Sequence, residues 1–503
     1  MTMPALSIPR GRPDATTNVP RAVGVAVGVV IIGVLCGRLA LSHYGKTVVE
    51  VLIGLPVLVI VTRRPMVAMV ALLAVVASAF SYGALPRVNL PGHPPINVAD
   101  LLLASAVLGT IWRRPWKRWP TAVRRYALAV LLLLALVSVA TVKTALHGHA
   151  QSRDALYEYR NWMYLAVALT IALEFSGRLW RTWINAAIGV AGAISIVSIA
   201  GAASHSVANW LLTLDPNAVF SPTAVAASGG VSLGSTARIR LDGLYLIYSM
   251  MIPTLVMVLV VKDRWRRLRV VALVLMVAAI ALSLNRNMYG GALIGLLVAA
   301  LLGGPRVRNR LAMTVGTVAI VIAFVVVTSL TPAITSQVGK RLGTVLAPSQ
   351  IQQSASYQDR AYELSLAFPS IAHHPWFGVG PRQYYGAYVQ TTHGQTVRFF
   401  VQNLVVDIAT DYGIPSALAF LLIPAVCLWF GLSRMRFAKD PIDRALLAGA
   451  IGTVLALLLS SLVDTFVQDP PSTVAFGAAC GLLLAAALRT VREQPHKDVT
   501  LNV

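Results

Sequence analysis

Residues 125–143 read RYALAVLLLLALVSVATVK. No charge stands between Arg125 and Lys143, and Leu, Ala and Val fill almost every position. Hydrocarbon offers no partner to a free N–H or C=O, so a run of this kind crosses a bilayer only as a helix that bonds within itself. Similar runs recur from near residue 22 to near residue 488. They predict membrane helices over about 22–41, 47–62, 66–84, 97–112, 125–143, 161–176, 183–203, 244–261, 270–284, 287–303, 311–330, 413–432, 445–463 and 472–488. The expected fold class is therefore all-α: a polytopic membrane protein of about fourteen transmembrane helices.

Composition agrees with the patterning. The chain of 503 residues is 57% hydrophobic and 12% charged, with a mean hydropathy of +0.71. A soluble domain of that length needs far more charge to cover its surface. The net charge of +23 would point to nucleic acid on a soluble protein. Here topology accounts for most of it. With the N-terminus inside, the connections holding Arg113 to Arg125, Lys262 to Arg269, Arg306 to Arg310 and Arg434 to Arg444 all fall on the cytoplasmic side and all are basic. Both termini are then cytoplasmic, and no nucleic-acid partner is expected. Residues 1–21 are polar and basic and precede the apolar run Ala22–Cys36, but no cleavage site follows, so the run is read as an uncleaved first helix. The cysteines Cys36, Cys427 and Cys480 all lie in apolar runs and read as small buried hydrophobes, not as a disulfide framework or a metal site.

The expected organisation is a cytoplasmic tail (1–21), a first block of about eleven membrane helices (22–330), a large extracytoplasmic loop with short amphipathic helices (331–412), three further membrane helices (413–488) and a cytoplasmic tail (489–503). Two shorter outward connections span 144–160 and 204–243, and the second contains the Gly/Ser/Ala-rich stretch Ala226–Thr236. Long polar loops on a helical scaffold are where function concentrates.

Positive charge is unexpected on the outer face, yet Arg153, Arg160, Arg238, Arg240, Arg286, Lys340, Arg341, Arg360, Arg382 and Arg398 fall there. Arginine grips phosphate with a planar fork of donors, so the set points to an anion site, although single members can pair with Asp154, Glu158, Asp242 or Asp359, or reach to lipid headgroups. Arg286 lies in Ser283-Leu-Asn-Arg-Asn287, between two apolar runs with almost no loop, near the depth where charge is costly. From Tyr357 to Ile371 apolar residues recur at helical spacing, which predicts an amphipathic helix at the membrane surface with Arg360 and Glu363 on its polar side. His374-Pro-Trp-Phe-Gly-Val-Gly-Pro381 then supplies a turn in which Gly378 and Gly380 permit positive φ or close backbone approach. Gln402 to Ser416 (QNLVVDIATDYGIPS) reads as the opening of the next membrane helix, with Asp407 and Asp411 sharing one face at i, i+4. Such a pair can do acid–base work, cap a helix start or pair with the arginines.

Three segments together resemble the O-antigen ligase and polysaccharide polymerase superfamily of polytopic membrane glycosyltransferases. They are Ser283 to Gly295 (SLNRNMYGGALIG), Arg360 with HHPWFGVGPRQYYGAY downstream, and Gln402-Asn403 followed by Val406, Asp411 and Gly413-Ile414. Their order and spacing carry the likeness, over roughly 280–420; the N-terminal half agrees in hydropathy and in Arg160 opening a helix. The resemblance implies transfer of a glycan from a polyprenyl-diphosphate carrier to a glycan or lipid acceptor at the outer face of the plasma membrane. It implies no cofactor and no metal, and the outward loops carry no clustered carboxylates of the kind a divalent ion needs. Arg160, Arg286, Arg360 and Arg382 become the candidates for holding the diphosphate, and Gln402, Asn403, His393, Asp407 and Asp411 the candidates for catalysis. Family ligases usually have His where this chain has Gln402, and Gln cannot accept a proton near neutral pH. The base is then His393, or one of Asp407 and Asp411; otherwise the chain belongs to a polymerase branch that does not use His, or is inactive.

The alternative class is a transporter or flippase of an anionic or lipid-linked substrate. Its polar groups would sit deep within several helices near the midplane. Arg38, Glu50, Asp100 and Glu174 fall within the spans, but all near helix ends, which favours the enzyme.

Overall fold

The structure is a computed structural model that describes residues 62–76, 87–88, 96–146, 152–175, 179–203, 207, 243–283, 285–305, 307–310, 355–381, 383, 389–391, 394–396, 401–463 and 469–492; a few side chains within these ranges, Arg286 among them, fall outside the description. The chain divides into two units, Met1–Ile60 and Val61–Val503, and every described residue belongs to the second. The expected helices over 22–41 and 311–330, and nearly all of 47–62, lie outside the described residues.

Among the described residues helices cover the apolar runs expected between 66 and 488, and three further helices, α4, α10 and α11, lie largely outside those runs. In chain order they are α1 (Pro65–Val76), α2 (Val98–Arg113), α3 (Thr121–Leu146), α4 (Ser152–Met163), α5 (Val167–Glu174), α6 (Trp180–Ala203), α7 (Leu244–Val260), α8 (Arg266–Ser283), α9 (Arg286–Leu302), α10 (Ala355–His373), α11 (Leu404–Tyr412), α12 (Ile414–Met435), α13 (Pro441–Ser461) and α14 (Pro470–Arg492). Two short antiparallel ladders interrupt the all-α pattern: β1 (Arg87–Val88) with β2 (Ile96–Asn97), and β3 (Val389–Thr391) with β4 (Gly394–Thr396). Among the described residues, α3, α12 and α13, together with Trp180–Gly201 and Pro470–Thr490, are long and apolar enough to cross a membrane. At 26 residues α3 reaches about 39 Å. α1, α7 and Asn287–Leu302 are apolar but shorter.

Burial separates the centre of the bundle from its rim. The apolar stretch of α14 is 100% buried and that of α13 is 72% buried, whereas those of α3 and α12 are 44% buried. The rim helices expose Leu128, Leu131 and Leu132, and Leu418, Leu422 and Trp429, which is the face a lipid-contacting helix presents. Small residues let the central helices approach. Gly477 and Gly481 of α14 lie on the backbone around Leu165 and Ala168, and Gly295 of α9 lies on Gly452 of α13. The two free cysteines among the described residues, Cys427 and Cys480, are buried as expected.

The structure corrects three sequence expectations. The helix expected at 161–176 begins earlier: α4 runs from Ser152, passes through a 3-10 turn at Tyr164–Ala166 and continues as α5. Arg160 therefore sits in the last turn of α4 instead of opening a helix. Hydropathy could not find α4, because its residues SRDALYEYRNWM are mostly polar. Second, QNLVVDIATDYG does not open a membrane helix. It forms the separate helix α11, ended by Gly413 at φ +88°, and α12 starts afresh at Ile414 with Pro415 in its first turn. Third, α10 is a helix as predicted, but Glu363 is fully buried and does not lie on a solvated polar side.

Candidate active site

Asn403 fixes the start of α11. Its side-chain oxygen accepts from the backbone N–H groups of Val405 and Val406, both at 3.1 Å, and its amide donates to the carbonyl of Leu462 at 2.9 Å. The residue thus caps one helix and ties it to the end of α13. The other end of α11 is clamped by the turn that follows α10. Val379 and Gly380 donate to the carbonyls of Thr410 and Asp411 at 2.9 and 3.0 Å, and Ile414 donates to Pro375 at 2.8 Å. Gly378 and Gly380 adopt φ of +64° and +112°, and a Cβ on either would collide, with the Asp411 backbone in one case and with Thr144 of α3 in the other. That motif is a clasp, and Gly378 and Gly380 serve it as the sequence predicts.

With α11 held at both ends, α10 lies beside it and brings Arg360 and Glu363 to the segment ahead of the cap. Arg360 Nε donates to Gln402 Oε1 at 2.8 Å. Glu363, one turn further along α10, accepts the backbone N–H of Gln402 at 2.9 Å. The preceding N–H, that of Val401, goes to Asp407 Oδ1 at 2.6 Å. Two buried carboxylates therefore hold two successive peptide N–H groups, and the Gln402 side chain returns to the helix that supplied one of them.

Electrostatics sharpen this cluster. Burial pushes the Asp407 carboxyl well above the usual carboxylate range; the Val401 N–H pulls it back, and the charges of Glu158 and Glu363 add to the rise. Tyr412 donates to Glu158 Oε2 on α4 at 3.0 Å, and its own hydroxyl is held well above its ordinary value, by burial first and then by the charges of Glu158 and Asp411. The Tyr412 ring stands edge-on to Trp162, with centroids 6.3 Å apart. Among the described residues, no group of His, Cys, Asp and Glu has the arrangement of a metal site.

The structure thus brings Arg360, Gln402 and Asp407 together, and it puts Asp411 two per cent exposed at the far end of α11. Arg160 is engaged elsewhere: its Nη1 meets Asp100 Oδ2 of α2 at 3.4 Å, while the Asp100 carboxylate also accepts from the Tyr164 hydroxyl at 2.7 Å. Asn285 caps α9 just ahead of Arg286 by accepting from the Asn287 N–H at 3.2 Å. The side chains of Arg286, Arg382 and His393 lie outside the described residues. Sequence reasoning missed the parts played by Glu158, Glu363 and Tyr412. Only the i, i+3 spacing of Arg360 and Glu363 hinted that the two share a face.

Apolar helices long enough to span a bilayer, carrying a polar cluster built from α4, α10 and α11, define a multi-pass membrane protein. Residues 271–421 match the family model described as O-antigen ligase. The likeness to the O-antigen ligase superfamily therefore stands, carried by that part of the chain, and it supports a glycan ligase or polymerase in general terms. No curated protein matches the chain.

Proposed function

We propose that this protein transfers a glycan from a polyprenyl-diphosphate carrier to an acceptor hydroxyl at the outer face of the plasma membrane. The acceptor oxygen attacks the anomeric carbon, the bond from that carbon to the carrier phosphate breaks, and polyprenyl diphosphate leaves. The need is to hold and neutralise the departing diphosphate, which preorganised cations do well.

The observation that carries this reading is the state of Arg360. Its Nε is fixed by Gln402, and among the described residues nothing else bonds its guanidinium. The two terminal nitrogens, the fork that matches phosphate oxygens, are left for a ligand. Gln402 works in this scheme as a hydrogen-bond acceptor that orients Arg360, a part a neutral imidazole can also play. The exchange of His for Gln is then compatible with activity. Asp407, set beside the Arg360–Gln402 pair by its bond from the Val401 N–H, is the residue we favour to take the acceptor proton; in its ionised form a carboxylate of raised proton affinity draws a proton from an attacking hydroxyl. Arg160, Arg286 and Arg382 remain candidates for the diphosphate, and Asp411, Asn403 and His393 for the acceptor side.

The test is reconstitution of the full chain with polyprenyl-diphosphate-linked glycans. Release of polyprenyl diphosphate is followed, and product length is measured by mass. Arg360→Ala is expected to lower turnover by about 100-fold, the cost of removing one preorganised charge-stabilising donor. Unchanged transfer by Arg360→Ala defeats the reading, and movement of intact carrier across the bilayer without bond cleavage would establish the transporter instead.

A further inference from the structure

The connection from α2 to α3 is short, rigid and strongly basic. Residues 112–125 read WRRPWKRWPTAVRR, and no acidic residue occurs between Asp100 and Asp154. Between Pro115 and Pro120 the chain makes a 3-10 turn at Trp116–Arg118. Trp119 is buried, and its indole N–H donates to the Arg114 carbonyl. The Arg124 guanidinium reaches back to the carbonyls of Trp119 and Lys117, both at 2.9 Å. Trp116 and Trp119 pack with ring centroids 4.9 Å apart.

This internal scaffold divides the cations into two kinds. Arg124 is spent on the turn itself, and Arg114 lies 3.7 Å from Glu174 of α5. Arg113, Lys117, Arg118 and Arg125 are exposed, and among the described residues their side chains have no partner. Beside them Trp112 is 90% exposed and Trp116 is 40% exposed. Two exposed cations on the turn, Lys117 and Arg118, and two on the helix ends beside it, Arg113 and Arg125, together with two exposed indoles, match the chemistry of an anionic lipid headgroup. The cations take the phosphate, and the indoles sit at the depth where ring and N–H each find a suitable environment.

We propose that the turn Arg113–Arg125 is a binding site for anionic phospholipid headgroups in the leaflet it faces. The positive-inside rule explains why the connection is basic, but not why its backbone is locked by a buried Trp and a spent Arg while four cations point out. The connection between α7 and α8 is comparably basic yet keeps Arg269 for Asp263 and Asn185, at 2.6 and 2.8 Å. The α2–α3 turn has no such internal acid.

The experiment measures lipid retention on the purified full chain by native mass spectrometry, with phosphatidylglycerol and phosphatidylcholine as the probes. The unmodified chain is expected to keep phosphatidylglycerol preferentially. Lys117→Gln/Arg118→Gln/Arg125→Gln is expected to reduce that preference at least tenfold, since each cation near an anionic surface is worth roughly fivefold. A control, Lys262→Gln/Arg267→Gln/Lys439→Gln, removes equal charge from exposed positions elsewhere and is expected to leave the preference nearly intact. Equal loss in both triple variants, or none in the first, overturns the proposal. Arg118→Gln alone makes a single surface change and is expected to give a smaller loss in the same direction, so a poorly folding triple variant does not shield the idea.

Discussion

Arg360 and Gln402 are 42 positions apart in the chain, yet Nε of one lies 2.8 Å from Oε1 of the other. The bond needs only an acceptor at position 402. Gln402→His in its neutral form is expected to keep the guanidinium aimed and to retain most of the activity. Gln402→Leu removes the acceptor at similar volume and is expected to lose about tenfold in kcat/KM, the worth of one orienting hydrogen bond. Steady-state rates on a lipid-linked glycan decide between them; equal loss in both variants would show that 402 does more than aim Arg360.

Asp407 gives a pH test. Its folded carboxyl binds its proton more tightly than the unfolded one, chiefly because it is buried. A group raised in this way contributes stability that is present below the ordinary carboxylate range and is lost as pH rises through the folded value. Asp407→Asn keeps an oxygen to accept the Val401 N–H but cannot ionise. The melting temperature of the variant, relative to the unmodified chain, is expected to climb as pH is raised from about 4 toward 8. A difference that stays flat with pH contradicts the burial argument. If Asp407 is also the base, the same variant loses transfer while gaining stability.

Asn403 holds α11 from the front. Asn403→Ala removes both cap bonds and the bond to Leu462, and a cost of about 1–2 kcal/mol is expected. Asn403→Asp keeps the cap oxygen but loses the amide donor, so its thermal shift should fall between those of the unmodified chain and the alanine variant.

Gly413 stands at φ +88°, and a Cβ there would run into the Trp376 carbonyl. Gly413→Ala combines backbone strain of about 1–3 kcal/mol, in a positive-φ extended region used essentially by glycine alone, with that collision. Loss of several degrees in melting temperature and reduced folded yield are expected, whereas Gly189→Ala, inside α6 where a Cβ meets nothing within 4 Å, should cost nothing and stabilise by up to about 1 kcal/mol. Comparable behaviour of the two would remove the case for the clasp.

Tyr412→Phe deletes the donor to Glu158 and leaves the ring beside Trp162. A half-buried carboxylate oxygen then loses one donor, and about 1 kcal/mol of destabilisation is expected from chemical or thermal unfolding. Glu158→Gln, which can still accept from the hydroxyl, should cost less.

The apolar helices were legible because period and length are written into the residues themselves: nothing but a helix can carry Ala127–Val142 through hydrocarbon. The positive-φ glycines of the turn after α10 were legible for a similar reason, since Gly-Val-Gly between aromatic and proline residues has few other uses. What stayed hidden depends on tertiary pairing. The polar helix α4 has no hydropathy signal, and its Arg160 and Glu158 make sense only once α2 and α11 supply Asp100 and Tyr412. Glu363 reads as a surface residue on an amphipathic pattern, yet the backbone N–H of Gln402 draws it inside. Asp407 and Asp411 were correctly placed on one helix, but the break at Gly413 had to be seen, because Gly-Ile-Pro also continues comfortably into an apolar run.

The close contact of Gly295 with Gly452 has a mechanical result. A Cβ at Gly291 would strike Ser460 and Tyr248, and one at Gly295 would strike the Gly452 carbonyl, so α9 and α13 touch backbone to backbone over a full turn. Ser460 also donates to the Asn287 carbonyl at 3.1 Å, which anchors the first turn of α9. The two helices therefore behave as a single stiff strut. One end of the strut presents residues 285–287, and the other helix ends at Leu462, to which Asn403 is bonded. Thickening the seam by a single methyl would push α9 and α13 apart and move the first turn of α9 relative to α11, so two glycines deep in the bundle set the spacing of helix ends on its polar side.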